Sequence, residues 1–147
     1  MAHDFEKYPE LTNSQLDIYY FESPHPQIFE TFNAEVVKVH DGDTITVKWY
    51  NRNFPFPIRL SDINAPELSH KDGPASQKWL EQRLLRKRVS VVVDPRNRVG
   101  KFGRLLGRII ADGVNISEEA ISLNYAVPFN HKKEGLIPTI EQILAKV

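Results

Sequence analysis

VKVHDGDTITVKWYNRNFPFPIRLSDINAPE, residues Val37 to Glu67, sets apolar and polar side chains in short alternating runs broken by turn residues. The run that enters it, Ala34–Val39 (AEVVKV), reads as a strand. Asp41-Gly42 marks a tight turn, and Thr44 to Trp49 alternates with period two. Asn51-Arg52-Asn53 turns the chain again, Pro57 to Leu60 continues as a third strand, and Pro66 closes the loop that follows.

Working outward, Ser76 to Arg86 carries Trp79, Leu80, Leu84 and Leu85 at helical spacing, with Gly73-Pro74 just before it. Val89 to Val93 is a strand, Arg96 to Gly103 a glycine-containing connection, and Leu105 to Ala111 another strand, turned at Asp112-Gly113. Ser117 is placed to cap a helix through Glu118, Ala120, Ile121 and Leu123, with Asn124 as its left-handed stop. Pro138 opens a short amphipathic helix, TIEQILAKV. Five short strands interleaved with helices predict an α+β fold: a small five-stranded OB-type barrel with two to three packed helices and an N-terminal extension. The expected division is an arm over 1–32, a barrel domain over 33–130 and a helical tail over 131–147.

At 147 residues the chain is of single-domain size, and 41% hydrophobic residues suffice for a core. No apolar run approaches the roughly 18 residues of a membrane span. The start, MAHDFEKYPELT, lacks the basic and apolar regions of a secretory signal, so an intracellular location or a place in a larger particle is expected. The absence of cysteine excludes disulfides and thiolate metal sites. His3, His25, His40, His70 and His131 are scattered without zinc-ligand spacing, and His40 reads as a strand-end residue.

The net charge of zero conceals a division. Residues 1–35 hold seven acids against Lys7, whereas residues 83–108 hold nine bases against Asp94. The basic stretch is either a track for a phosphate backbone or a set of solvated helix and turn residues. The arm, with Tyr19-Tyr20-Phe21 and Pro24 and Pro26, is too apolar for a plain tail and cannot be one helix. It either packs back onto the domain or docks onto a protein partner.

Asp41, Asp43, Asp62 and Glu67 lie on or beside the strands with Arg59 among them, and Arg104 follows a glycine turn in KFGRLLGRIIADG, residues 101–113. Acids able to hold a hard cation, a carboxylate able to steer water and two guanidiniums able to grip phosphate are the components of a metal-dependent phosphodiesterase. The alternative for the same residues is a surface ion-pair cluster beside a barrel.

The ordered set DGDT (Asp41–Thr44), RL-x4-APE (Arg59–Glu67), a GP-led helix, KFGR (Lys101–Arg104), ADG (Ala111–Gly113) and SEEA resembles the staphylococcal nuclease family over Ala34 to about Phe129. The resemblance implies a calcium-dependent endonuclease that cuts the 5′ P–O bond of DNA or RNA and leaves 3′-phosphate ends. It places a metal ligand on Asp43, the second ligand on Asn64, a metal-facing carbonyl on Ala65 and the general base on Glu67. Arg59 and Arg104 take the positions of the phosphate-gripping arginines. Lys101 and Phe102 stand where the family has a substrate-side lysine and tyrosine, so the tyrosine hydroxyl is missing.

The main departure is Asn64, where the family usually has a carboxylate. An amide oxygen can still ligate, but one negative charge is lost, which weakens calcium binding or shifts the preference to another divalent ion. Asp62, on the same face as Asn64 if the strand is regular, either compensates in part or caps a turn. Asp41 is expected behind the ligands, orienting the site. The short segment LSHKDG after Glu67 is expected to leave the site open to duplex DNA. A second reading is a catalytically weakened module that binds nucleic acid or protein, docked through its arm into an assembly such as a phage particle.

Overall fold

β1 (Phe32–Asp41) is the longest strand, and Phe32, Ala34, Val36 and Val39 along it are buried. Its register against β2 (Thr44–Lys48) slips between Val36 and Lys38 and again between Val39 and Asp41. Bulges of this kind bend a strand and sharpen its twist, which a small barrel requires in order to close. β1 thereby serves both β2 on one side and β5 (Arg88–Val92) on the other, antiparallel in each case.

The computed structural model describes residues 4–100 and 103–129. β2 pairs antiparallel with β3 (Phe56–Leu60), and β5 pairs antiparallel with β6 (Leu105–Ala111). Closure comes from a parallel pairing of β3 with β6, in which Ile58 faces Leu105, Arg59 faces Leu106 and Leu60 faces Gly107. These five strands form the closed barrel expected of the OB type. Ile45, Val47, Ile58, Leu60, Val91, Leu105 and Ile109 fill it, each at most 1% exposed.

α2 (Gly73–Leu84) lies across β1 and buries Ser76, Leu80 and Leu84, and Gln77 Nε2 donates to the carbonyl of Val39 at 3.0 Å. It begins three residues earlier than the apolar spacing indicates. Gly73-Pro74 forms its first turn, where a missing N–H costs nothing, rather than preceding it. A short strand β7 (Val114–Asn115) leads into α3 (Ile116–Ser122). Asn115 caps α3, accepting from the amides of Ser117 at 2.9 Å and Glu118 at 3.2 Å. The expected cap, Ser117, is instead inside the helix with its hydroxyl turned to Asp62. Asn124 does take the left-handed conformation, with φ 65°. β4 (Ile63–Asn64) and β8 (Val127–Pro128) form a separate two-stranded pair beside the barrel mouth. The helix expected from Pro138 and the rest of the tail lie outside the described residues.

The arm folds back onto the barrel. Its α1 (Asn13–Tyr19) and a following 3-10 turn (Tyr20–Glu22) lie outermost, and Leu11 and Glu10 are buried beneath. The Glu10 carboxylate meets two arginines whose side chains are fully buried: Arg52 at 2.6 Å and Arg98 at 3.1 Å. Among the described residues, Nε and Nη1 of Arg52 have no hydrogen-bond acceptor. The rings of Phe56 and Phe54 lie 4.5 and 5.4 Å from its guanidinium and stabilise the charge from their faces. Removing one member of a buried ionic group leaves uncompensated charge, a loss of about 3–5 kcal/mol. Glu10→Ala should therefore lower the urea unfolding free energy by about that amount. A change below about 1 kcal/mol would show that the arm is not coupled to barrel stability.

Candidate active site

The β1–β2 turn, Asp41-Gly42-Asp43, sits over α2 and over Ala65, the residue that follows β4. Gly42 is required there by space: a Cβ at this position would stand 2.1 Å from Ser76 Oγ and 2.6 Å from Ala65 Cβ. Asp41 Oδ1 accepts the amide of Asp43 at 3.0 Å and closes the turn on itself. Asp43 is thus driven inward, where it is 7% exposed. Its Oδ1 accepts from the Thr44 hydroxyl at 3.2 Å, and its Oδ2 accepts the amide of Ala65 at 2.9 Å.

Arg59 projects from β3 into the same space. Its Nη2 stands 3.2 Å from Asp43 Oδ2 and donates to Asn64 Oδ1 at 2.8 Å, while Nη1 donates to the carbonyls of Leu60 and Ile63. One guanidinium thus ties together the two side chains assigned to metal binding. Burial pushes the Asp43 carboxyl up to about 6, against the opposing pull of the Arg59 charge; the hydrogen bond and charge of Asp41 push it further the same way. Burial likewise lowers the pKa of Arg59, and Asp43 raises it. Burial outweighs the ion pair at Asp43, so the carboxylate has less positive charge around it than its ionised form requires.

Arg104 enters from the start of β6, where the β3–β6 pairing sets it beside Arg59. Its Nη1 makes a long contact of 3.4 Å to Thr44 Oγ1. Both arginines line an open cleft of about 770 Å³ with Asp62, Asn97, Leu106 and Phe129, and the Phe129 ring lies 5.9 Å from the Arg59 guanidinium. Glu67 stands exposed three residues beyond Asn64, its carbonyl accepting the amide of His70 at 2.9 Å. Asp62 turns its carboxylate to Ser117 Oγ at 2.6 Å and so ties the β3–β4 turn to α3. His40 bonds Thr46 Oγ1 across the β1–β2 pair at 2.7 Å. Lys101 and Phe102 lie outside the described residues.

Several of the nine bases are committed elsewhere. Arg98 is buried against the arm, Arg83 pairs with Glu119 at 2.7 Å, and Arg83 and Lys87 share Asp112 at 3.3 and 3.2 Å. A continuous basic track over 83–108 is therefore replaced by ion pairs at these three positions.

No group of three histidines or acids able to hold a metal occurs among the described residues. The donors that are present suit a hard cation nonetheless: they are all oxygen, and they include the buried carboxylate of Asp43. Asp43 and Asn64 would hold such an ion.

The family model for the staphylococcal nuclease homologue matches residues 57–145. The chain belongs to the staphylococcal nuclease family. That match takes in Arg59, Asn64, Glu67 and Arg104, while Asp43 and the arm precede it. Among relatives, an uncharacterized endonuclease of Escherichia coli O157:H7 is 34% identical over 118 residues, covering 79% of this chain and 74% of that protein. A micrococcal nuclease of Shigella flexneri is 38% identical over 80 residues, covering 54% of this chain and 43% of its own length. An uncharacterized endonuclease of Haemophilus influenzae is 31% identical, with 66% and 52% covered.

The Asp43 environment makes a prediction with a definite sign. A carboxyl whose folded pKa is raised favours the folded state when protonated and loses that contribution as pH rises through it. In EDTA, the stability of wild type relative to Asp43→Asn should fall between about pH 4 and about pH 6 and stay level above. Loss of the Arg59 ion pair in the variant adds only a pH-independent offset over this range. A difference that grows in favour of wild type across the window would show that Arg59 outweighs burial.

Proposed function

We propose that this chain is a metal-dependent endonuclease that hydrolyses phosphodiester bonds of DNA and RNA with Ca2+ as its ion, releasing 3′-phosphate ends. The observation that carries this reading is the convergence of Arg59 and Arg104 on one cleft beside the buried Asp43. Two fixed guanidiniums meet the charge that builds on the equatorial oxygens of a phosphodiester under attack. Arginine suits that role because its planar fork donates in pairs and stays ionised. To grip substrate, Arg59 exchanges its bonds to Asp43 and Asn64 for phosphate oxygens. Glu67, exposed to solvent, takes the proton from the attacking water. A divalent cation bound at Asp43 and Asn64 would supply Lewis-acid polarisation and a more acidic water. The nuclease and endonuclease relatives support the same assignment.

Glu67→Gln should lower kcat by about two to four orders of magnitude with the thermal midpoint unchanged. Cleavage at near-normal rate would remove Glu67 from the reaction. Arg59→Ala and Arg104→Ala should each cost about a hundredfold to a thousandfold in kcat, and unaltered rates would remove the phosphate clamp. Asn64→Asp restores one negative charge to the donor set. Calorimetric titration with Ca2+ should show tighter binding in that variant, and equal affinity would mean that position 64 is not a ligand. The deciding assay is cleavage of single-stranded and duplex DNA and of RNA in EDTA, Ca2+, Mg2+ and Mn2+, with end-group analysis of the products. Intact substrate under every ion would favour the binding-module reading.

A further inference from the structure

We infer that the N-terminal arm is a positioning element for Arg104, with Tyr8, Glu10 and Asn13 acting on it through the β5–β6 connection. The inference rests on the phosphate-gripping role proposed for Arg104. The arm touches the described residues of that connection at three separate points. Near its start, Asn13 Nδ2 donates to the carbonyl of Pro95 at 3.1 Å. At its centre, the guanidinium of Arg98 is enclosed by the arm: Nε donates to Ile28 O at 2.6 Å, Nη1 to Leu11 O at 2.9 Å and Asn13 Oδ1 at 3.2 Å, and Nη2 to Glu10 at 3.1 Å. The Phe29 ring covers that guanidinium at 4.1 Å. At its end, Gly103 has φ +66°, and a Cβ there would stand 2.5 Å from Tyr8 Cβ and 2.9 Å from Tyr8 Cα. Arm and connection are in contact at the residue immediately before Arg104.

The connection passes this constraint to Arg104 through its own backbone. The amide of Leu106 donates to Arg98 O at 2.8 Å, and the amide of Gly100 donates to Arg104 O at 2.9 Å. Arg98 and Arg104 are thereby fixed on either side of one tight reversal, with Val99 bridged to Leu105. A phosphate contact carried on a connection rather than within a strand depends on what holds that connection. Here the holding groups lie in the arm, Asn13 and Tyr8 at the two ends of the connection and the buried Glu10 carboxylate at its centre. A displacement of about 1 Å at a reacting group can cost about a hundredfold in rate, so a tether of this kind acts on kcat.

The test is a mutant cycle run at a temperature where circular dichroism shows every variant folded. The arm variant is Tyr8→Ala combined with Asn13→Ala, which leaves the Glu10 ion pairs in place. The expected loss in kcat is about tenfold to a hundredfold in the otherwise wild-type protein and none in the Arg104→Ala background. Equal proportional losses in both backgrounds would overturn the inference, because a general weakening of the fold acts regardless of Arg104. Amide hydrogen exchange supplies a readout independent of catalysis. Exchange at Gly100 and Leu106 should accelerate in the arm variant while Ile45 and Val47 in β2 stay protected. Unchanged protection at Gly100 and Leu106 overturns the inference whether or not the protein cleaves. If wild type cleaves no nucleic acid, the proposed function fails, and the exchange experiment still decides whether the arm holds the connection.

Discussion

The parallel pairing of β3 with β6 is the constraint on which the rest depends. It closes the barrel, and by setting Arg59 opposite Leu106 and Ile58 opposite Leu105 it fixes two arginines from distant parts of the chain beside one cleft. The bulges in β1 serve the same closure by bending the strand that both halves of the barrel share. With the barrel closed, the β1–β2 turn has one place to go. Gly42 lets it descend onto α2, and Asp43 is carried into a region where an ionised carboxylate is poorly compensated.

That placement explains why Arg59 makes so many internal bonds. Its contacts to Asp43, Asn64 and two carbonyls hold the guanidinium in register and partly offset the buried negative charge. The offset is incomplete, since burial still raises the Asp43 pKa. The side chains assigned to metal binding and to phosphate binding are therefore coupled in one hydrogen-bonded set. A substitution at Asn64 therefore reaches the arginine as well.

The barrel was legible in the sequence because each of its features is local. Period-two runs marked the strands, Asp41-Gly42 and Asp112-Gly113 the turns, and two of the motif arginines, Arg59 and Arg104, line one cleft. The helix boundaries were harder. Ser117 and Asn115 are both good capping residues; Asn115 takes the cap, and the serine hydroxyl donates to Asp62. The members of the buried Glu10–Arg52–Arg98 group could not be singled out along the chain. Glu10 reads as one of seven acids in an acidic arm, and Arg98 as one of nine bases in a basic stretch. Their partnership spans 88 positions, and no pattern along the chain distinguishes a charge that will be buried from one that will be solvated. The charge asymmetry observed between residues 1–35 and 83–108 is partly the imprint of that pairing. The Asp62–Ser117 bond was equally hidden, for the same reason.

The closing pairing also has a consequence in time. Strands β3 and β6 are separated by a helix, two strands and a long connection, so their union is a contact of high sequence separation, which is slow to form because loop closure must precede it. The two arginines are brothers only in the finished barrel. A chain still emerging from the ribosome, or one partly unfolded, has Arg59 without Arg104 beside it. Whatever chemistry this cleft supports is therefore withheld until the barrel has closed.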